Sequence, residues 1–214
     1  MLKLYYADTS MVSKQDVFER YMKQMNEQRR QKVLRCKNEE DKLCSLLAGV
    51  LLRYGLEELG LDYDTLVFAV TPEKKPVLQS HPQIHFSLSH SGNRAVCLLS
   101  DGVAGVDVEY RHRRLIEDNA TGKRHAVARK CFTEQEYCEY IQAEELEQRE
   151  LFLKYWTRKE AVSKAVGKGL GMDFSKIHKP EEHFLSKWMD EEYYLSIYVE
   201  GDSKRKELEI CMMN

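Results

Sequence analysis

One pattern constrains this chain more than any other: within 214 residues the order strand, long helix, strands occurs twice. The first pass begins with the apolar strand Leu2 to Tyr6, followed by charged, amphipathic sequence from Lys14 to Arg35. Asn38 then opens a helix, with Glu39, Glu40 and Asp41 at the end where the helix dipole favours acids. Leu43, Leu46, Leu47, Val50, Leu51 and Tyr54 recur at helical spacing, so one face is buried, and Gly60 is the stop. Leu66 to Val70 reads as a strand and Thr71 to Pro76 as a turn. Ile84 to Leu88 and Ala95 to Leu99 read as neighbouring strands joined through Ser89-His90-Ser91-Gly92-Asn93.

The second pass opens at Asp101-Gly102, a hairpin signal that leads into the strand Val103 to Glu109. Thr133-Glu134-Gln135-Glu136 has the pattern of a capping box. A second long helix ends near Val166, Gly167 to Gly171 is expected to be a flexible loop, and Tyr193 to Val199 with Glu207 to Met212 would form a hairpin around Gly201-Asp202. The tails of the two long helices even rhyme, Leu59-Gly60-Leu61-Asp62 against Leu170-Gly171-Met172-Asp173. The fold class expected is therefore α+β, with two small α+β halves packed face to face, residues 1–101 and 102–214.

Composition narrows the function. Thirty-three Lys and Arg against 35 Asp and Glu leave a net charge of −2, with no basic surplus to mark a general nucleic-acid binder. No apolar run approaches the roughly 18 residues of a membrane span, and the N-terminus turns polar too soon for a signal peptide. The six cysteines form no C-x-x-C pair and read as reduced thiols of a cytoplasmic protein. His81 and His85 flank Pro82 ahead of a strand and share no helical face, so they are not read as metal ligands.

Three segments can carry chemistry. In the strand ending at Glu109, Asp107 and Glu109 point to one face while Val106 and Val108 point to the other. The pair is either an outward acidic face or one side of a site for a hard cation such as Mg²⁺, since adjacent acids repel unless a cation separates them. On the second long helix Trp156, Glu160 and Lys164 lie four apart on one face. They are either a surface ion pair beside a packed Trp, or a third carboxylate plus a cation for a phosphate. His85-Phe86-Ser87-Leu88-Ser89-His90-Ser91-Gly92 places hydroxyl and imidazole donors at a strand end and suits an anion; no G-x-S-x-G motif accompanies it to support a hydrolase.

Together, Phe86-x-x-Ser89-His90-Ser91, Gly105-Val106-Asp107-Val108-Glu109 and Trp156-Thr157-x-Lys159-Glu160-Ala161-x-x-Lys164 resemble the 4′-phosphopantetheinyl transferase superfamily, in its longer surfactin-synthetase-activating (Sfp) type. Lys75-Pro76 and the basic segment before Leu46-Leu47-Ala48-Gly49 match that type as well, so the likeness spans about residues 25 to 171. It implies two halves related by a pseudo-two-fold, a cleft between them, and a monomer. It also implies Mg²⁺-dependent transfer of phosphopantetheine from coenzyme A to a serine of an acyl- or peptidyl-carrier protein, releasing adenosine 3′,5′-bisphosphate.

By the same resemblance Asp107, Glu109 and Glu160 hold the metal, and Asp107, Glu160, Lys164 and His90 form the catalytic set, with Glu160 the candidate base and Lys164 on the α-phosphate. Ser89 and His90 would hold the coenzyme A phosphates, Lys75 and Ser45 the adenine end, and Arg29 and Lys32 the 3′-phosphate. Arg29 stands where the family has Lys, and Ser45 where it has Thr. The basic segment from Arg111 to Lys130 would steer an acidic carrier helix. Two other readings compete: a coenzyme A- or carrier-binding protein without activity, and a Mg²⁺-dependent phosphodiesterase or nuclease, which would want a basic groove.

Overall fold

The computed structural model describes residues 1–117, 122–201 and 207–212. The chain runs β1 (Leu2–Asp8), α1 (Lys14–Tyr21), α2 (Glu27–Leu34), α3 (Glu39–Glu58), β2 (Phe68–Val70), β3 (Pro76–Leu78), β4 (His85–Ser91) and β5 (Arg94–Ser100). It continues through β6 (Ala104–Tyr110), α4 (Arg114–Glu117), α5 (Lys123–Cys131), α6 (Glu134–Gln142), α7 (Glu145–Val166), β7 (Phe184–Trp188), β8 (Tyr193–Val199) and β9 (Glu209–Met212).

The expected repeat is present in the topology. One sheet has the order β4-β5-β1-β9 and a second β6-β8-β7, with β2 and β3 as a separate pair; setting β9 aside, each half pairs its first strand with its last long strand, and that with the strand before it, all antiparallel. The long helix between, α3 or α7, covers the outer face of its own sheet. The helix tails repeat too. Asp62 and Asp173 each accept a hydrogen bond from the backbone two residues on, and each starts a 3-10 turn whose aromatic residue, Tyr63 or Phe174, is buried.

Period-two side chains explain how the layers stack. Along β1, Tyr5 and Ala7 pack with the α3 residues Leu46, Leu47 and Leu51, whereas Leu2 and Leu4 face the other sheet. Those two residues meet Val106, Val108, Leu195 and Ile197 in a second core between the sheets. The result is helix, sheet, sheet, helix. Local signals hold where they were read: Asn38 caps α3 on Asp41 N–H, and Thr133 with Glu136 forms the complete capping box of α6. Removing it by Thr133→Ala should cost about 1 kcal/mol, read as a lower thermal midpoint with the sheet signal of circular dichroism unchanged.

Four local expectations change. Asp101-Gly102 makes no hairpin, because β5 is already paired on both edges by β1 and β4, and the chain passes instead to the second sheet. Residues 207–212 do not pair with β8, whose two edges carry β6 and β7; β9 returns to the first sheet and lies parallel to β1, with Leu4 opposite Ile210. Part of the connection around Gly201-Asp202, residues 202–206, lies outside the described residues. Ser89, His90 and Ser91 belong to β4 rather than to a loop, and Gly92-Asn93 alone makes the turn, Gly92 at φ +52°. Gly167 to Gly171 is a formed turn: left-handed Gly167 ends α7, and Ser163 Oγ donates to Gly169 O at 2.7 Å.

All six cysteines are free, and among the described residues no helix is long and apolar enough to cross a membrane.

Candidate active site

The site forms where α7 and β4 converge on β6. One edge of β6 pairs with β8, and its other edge would be left with open N–H groups. Serines on alternate positions of β4 close that edge: the hydroxyl oxygens of Ser87, Ser89 and Ser91 accept from the N–H groups of Val106, Val108 and Tyr110. Two of those hydroxyls then donate onward at 2.7 Å, Ser89 to Asp107 Oδ1 and Ser91 to Glu109 Oε2. The carboxylates are thereby aimed into the cleft.

Helix α7 lays its four-residue ridge on the same face. Trp156 Nε1 donates to Glu109 Oε1 at 3.1 Å. At the far end Lys164 Nζ donates at 2.7 Å to both Asp107 Oδ1 and Ser89 Oγ. Glu160 sits between them, and burial and the Asp107 carboxylate push its pKa up to about 7. Burial, then Asp107, also raises Glu109. Close approach is made by Gly105: a Cβ there would stand 2.1 Å from Ala161 O. The other motif residues are structural. Lys159 Nζ reaches inward to Glu136 and to Phe174 O, and Thr157 Oγ1 meets Ser196 Oγ at 2.7 Å.

Among the described residues no three His, Cys, Asp or Glu side chains are gathered closely enough to hold a metal ion; Lys164 and Arg113 lie on Asp107 and Glu109 instead. The donor set still suits a hard divalent cation. It consists of oxygens only, the Asp107 carboxylate helps raise the pKa of both Glu109 and Glu160, and the buried Asp107 Oδ2 has no hydrogen-bond partner.

Beside the carboxylates lies a hollow of about 240 Å³ lined by Lys32, Lys74, Lys75, Phe86, Ser87 and Lys164, among others. Ser89 and His90, expected to act together, face opposite sides of β4. Ser89 joins the carboxylates, while His90 feels Lys164, Arg29 and Lys32 and is lowered to about 4, chiefly by burial. Lys32 is lowered to about 8 by burial and then by the Arg29 and Lys164 charges, although part of its side chain stays exposed. Arg29 is lowered to about 10 by burial. Its guanidinium donates to Ser45 O and Oγ, and its Nε is buried without a partner. Ser45 is fully buried, its Oγ covered by the Arg29 guanidinium at 3.2 Å, and offers no surface to a ligand. Lys75 spans the two halves: its Nζ donates to Ala165 O at the end of α7 and its stem lies against Gly167.

The basic segment is partly spent on structure. Arg124 is fully buried against Tyr140, Ile116 O and Glu145. Arg111 donates to Glu191 O and lies over Trp188, and Arg113 holds Glu109. Arg114, Arg129 and Lys130 are exposed; residues 118–121 lie outside the described residues. Sequence reading missed the bridging role of the serines, although their alternation at 87, 89 and 91 was the available signal. It also read Trp156 as packing alone.

Comparison with known proteins agrees with this architecture. A family model described as the 4′-phosphopantetheinyl transferase superfamily matches residues 104–211, and one described as the 4′-phosphopantetheinyl transferase N-terminal region matches residues 12–101. The chain is 28% identical to 4′-phosphopantetheinyl transferase Sfp of Bacillus subtilis strain 168 over 80% of its own length and 73% of that protein. It is 26% identical to another Bacillus subtilis 4′-phosphopantetheinyl transferase over 92% and 91%, respectively. A mouse L-aminoadipate-semialdehyde dehydrogenase-phosphopantetheinyl transferase is 31% identical over 61% of this chain and 45% of its own. With the carboxylate, serine and lysine motifs meeting in one cleft, and family models matching both halves, the chain belongs to the 4′-phosphopantetheinyl transferase superfamily.

Proposed function

We propose that this phosphopantetheinyl transferase takes its group from coenzyme A and delivers it to a serine hydroxyl of an apo acyl- or peptidyl-carrier protein, releasing adenosine 3′,5′-bisphosphate. The observation that carries the reading is the charge arrangement. Arg29, Lys32, His90 and Lys164 crowd together with depressed or competing charges, beside three carboxylates that repel one another. Such a site is costly to leave unpartnered and suits a polyanion on one side and a cation on the other.

Asp107, Glu109 and Glu160 would hold Mg²⁺, which when bound polarises the pyrophosphate and offsets charge on the leaving phosphate. Lys164 neutralises the phosphate oxygens, positioned by Ser89. Lys32 and Lys75, which line the adjoining hollow, bind the phosphates and the adenosine end, with His90 and Arg29 close to Lys32 as further phosphate contacts. Glu160 takes the proton from the carrier serine as that oxygen bonds to phosphorus and the pyrophosphate bridge breaks. Arg114, Arg129 and Lys130 offer a face to an acidic carrier helix. The two halves, 1–101 and 102–214, the second lending β9 to the sheet of the first, work as one cytoplasmic monomer, a division supported by family matches that end at 101 and begin at 104.

The test is the intact mass of an apo carrier protein incubated with this chain, coenzyme A and Mg²⁺. A gain of one phosphopantetheine, abolished by a chelator, is the expected result. No gain across acyl- and peptidyl-carriers, with coenzyme A still bound, would replace this reading with that of a binding protein.

A further inference from the structure

Glu109 accepts three side-chain hydrogen bonds, and one of them comes from a mobile cation. Ser91 takes Oε2, and both Trp156 Nε1 and the Arg113 guanidinium take Oε1. Ser91 and Trp156 are anchored in β4 and α7, and each leaves room for a cation on the remaining lone pairs. Arg113 differs. It stands in the turn after β6, four residues beyond Glu109, with 55% of its side chain exposed. Among the described residues its guanidinium has no other hydrogen-bond or ion-pair partner. It can therefore swing into water at small cost, while the buried carboxylate is held by Ser91 and Trp156.

Resting on the reading of Asp107, Glu109 and Glu160 as metal-holding residues, we propose that Arg113 is a built-in counter-ion that occupies Glu109 when no divalent cation is bound and must leave when one enters. It thereby sets the metal affinity of the site. The neighbouring carboxylate is treated differently: Lys164 on Asp107 is also held by Ser89 and has a phosphate to meet, so it stays. An exposed arginine competes by charge and by geometry, and both are screened or removed easily. Arg113 is thus a poor choice for probing carrier docking, since its replacement alters Glu109.

The experiment is direct Mn²⁺ binding to the purified full chain without substrate, following free Mn²⁺ by electron paramagnetic resonance and Trp emission in the same titration. Arg113→Ala should bind Mn²⁺ roughly tenfold more tightly than wild type, the order expected when one cation beside a carboxylate is removed. Arg111→Ala, an equal charge change whose guanidinium is held on Glu191 O, should bind as wild type does. Arg113→Ala should also melt earlier without metal and regain the difference with Mn²⁺. Equal affinity of Arg113→Ala and wild type, or an equal gain in Arg111→Ala, would overturn the counter-ion role while leaving the metal site intact. No Mn²⁺ binding in wild type, or binding undiminished in Asp107→Asn, would overturn the metal assignment itself and this role with it.

Discussion

Lys164→Ala should lower carrier modification by about 10²- to 10³-fold in kcat, the usual loss when one preorganised electrostatic donor is removed. Its ammonium lies 2.7 Å from both Ser89 Oγ and Asp107 Oδ1, so it is held in place before any substrate arrives. If it acts mainly on charge developing on the leaving phosphate, kcat and kcat/KM should fall together while KM for coenzyme A moves little. A large rise in KM at unchanged kcat would instead make Lys164 a ground-state phosphate contact. Because the change also strips Asp107 of its cation, the measurement belongs beside a melting curve and a Lys164→Arg variant, which keeps the charge and should recover part of the rate.

Gly105→Ala should be among the most damaging single substitutions for folding. A Cβ at this position would lie 2.1 Å from Ala161 O and 2.7 Å from Ala165 N, both backbone atoms of α7. No side chain can yield, so α7 must lift from β6, taking Trp156, Glu160 and Lys164 away from Asp107 and Glu109. A loss of about 4 kcal/mol or more is expected, which places the thermal midpoint some 10 °C or more below wild type. Gly171→Ala, with nothing within 4 Å of the added carbon, should melt as wild type does. A Gly105→Ala protein that melted alongside Gly171→Ala would show that α7 does not approach β6 this closely.

Much of this arrangement was legible in the residues. Helix α3 announced itself through Asn38 and its apolar stripe, α6 through Thr133 and Glu136, and the α7 ridge through the spacing of Trp156, Glu160 and Lys164. Asp107 and Glu109 lie on one face as period two requires. The errors share a cause. The Asp101-Gly102 hairpin and the closing hairpin were both inferred from turn residues between adjacent strands, yet in each case the partner edge was already taken by another strand. Ser89 and His90 are a different case: as neighbours in a strand they face opposite sides, so only the packed structure showed Ser89 joining the carboxylates and His90 lying near Arg29 and Lys32.

By itself the sequence determined the kinds of element, their caps, the repeated α+β order, and the residues whose chemistry could matter. Those properties depend on backbone preferences and periodicities that act over a few residues. Only the tertiary structure decided that β9 joins the first sheet, that serines of β4 close the open edge of β6, that Ser45 lies buried under Arg29, and that Arg113 rests on Glu109. Each depends on which strand edge remains free and which charge remains unpaired once the layers have packed. No local stretch of sequence contains that information.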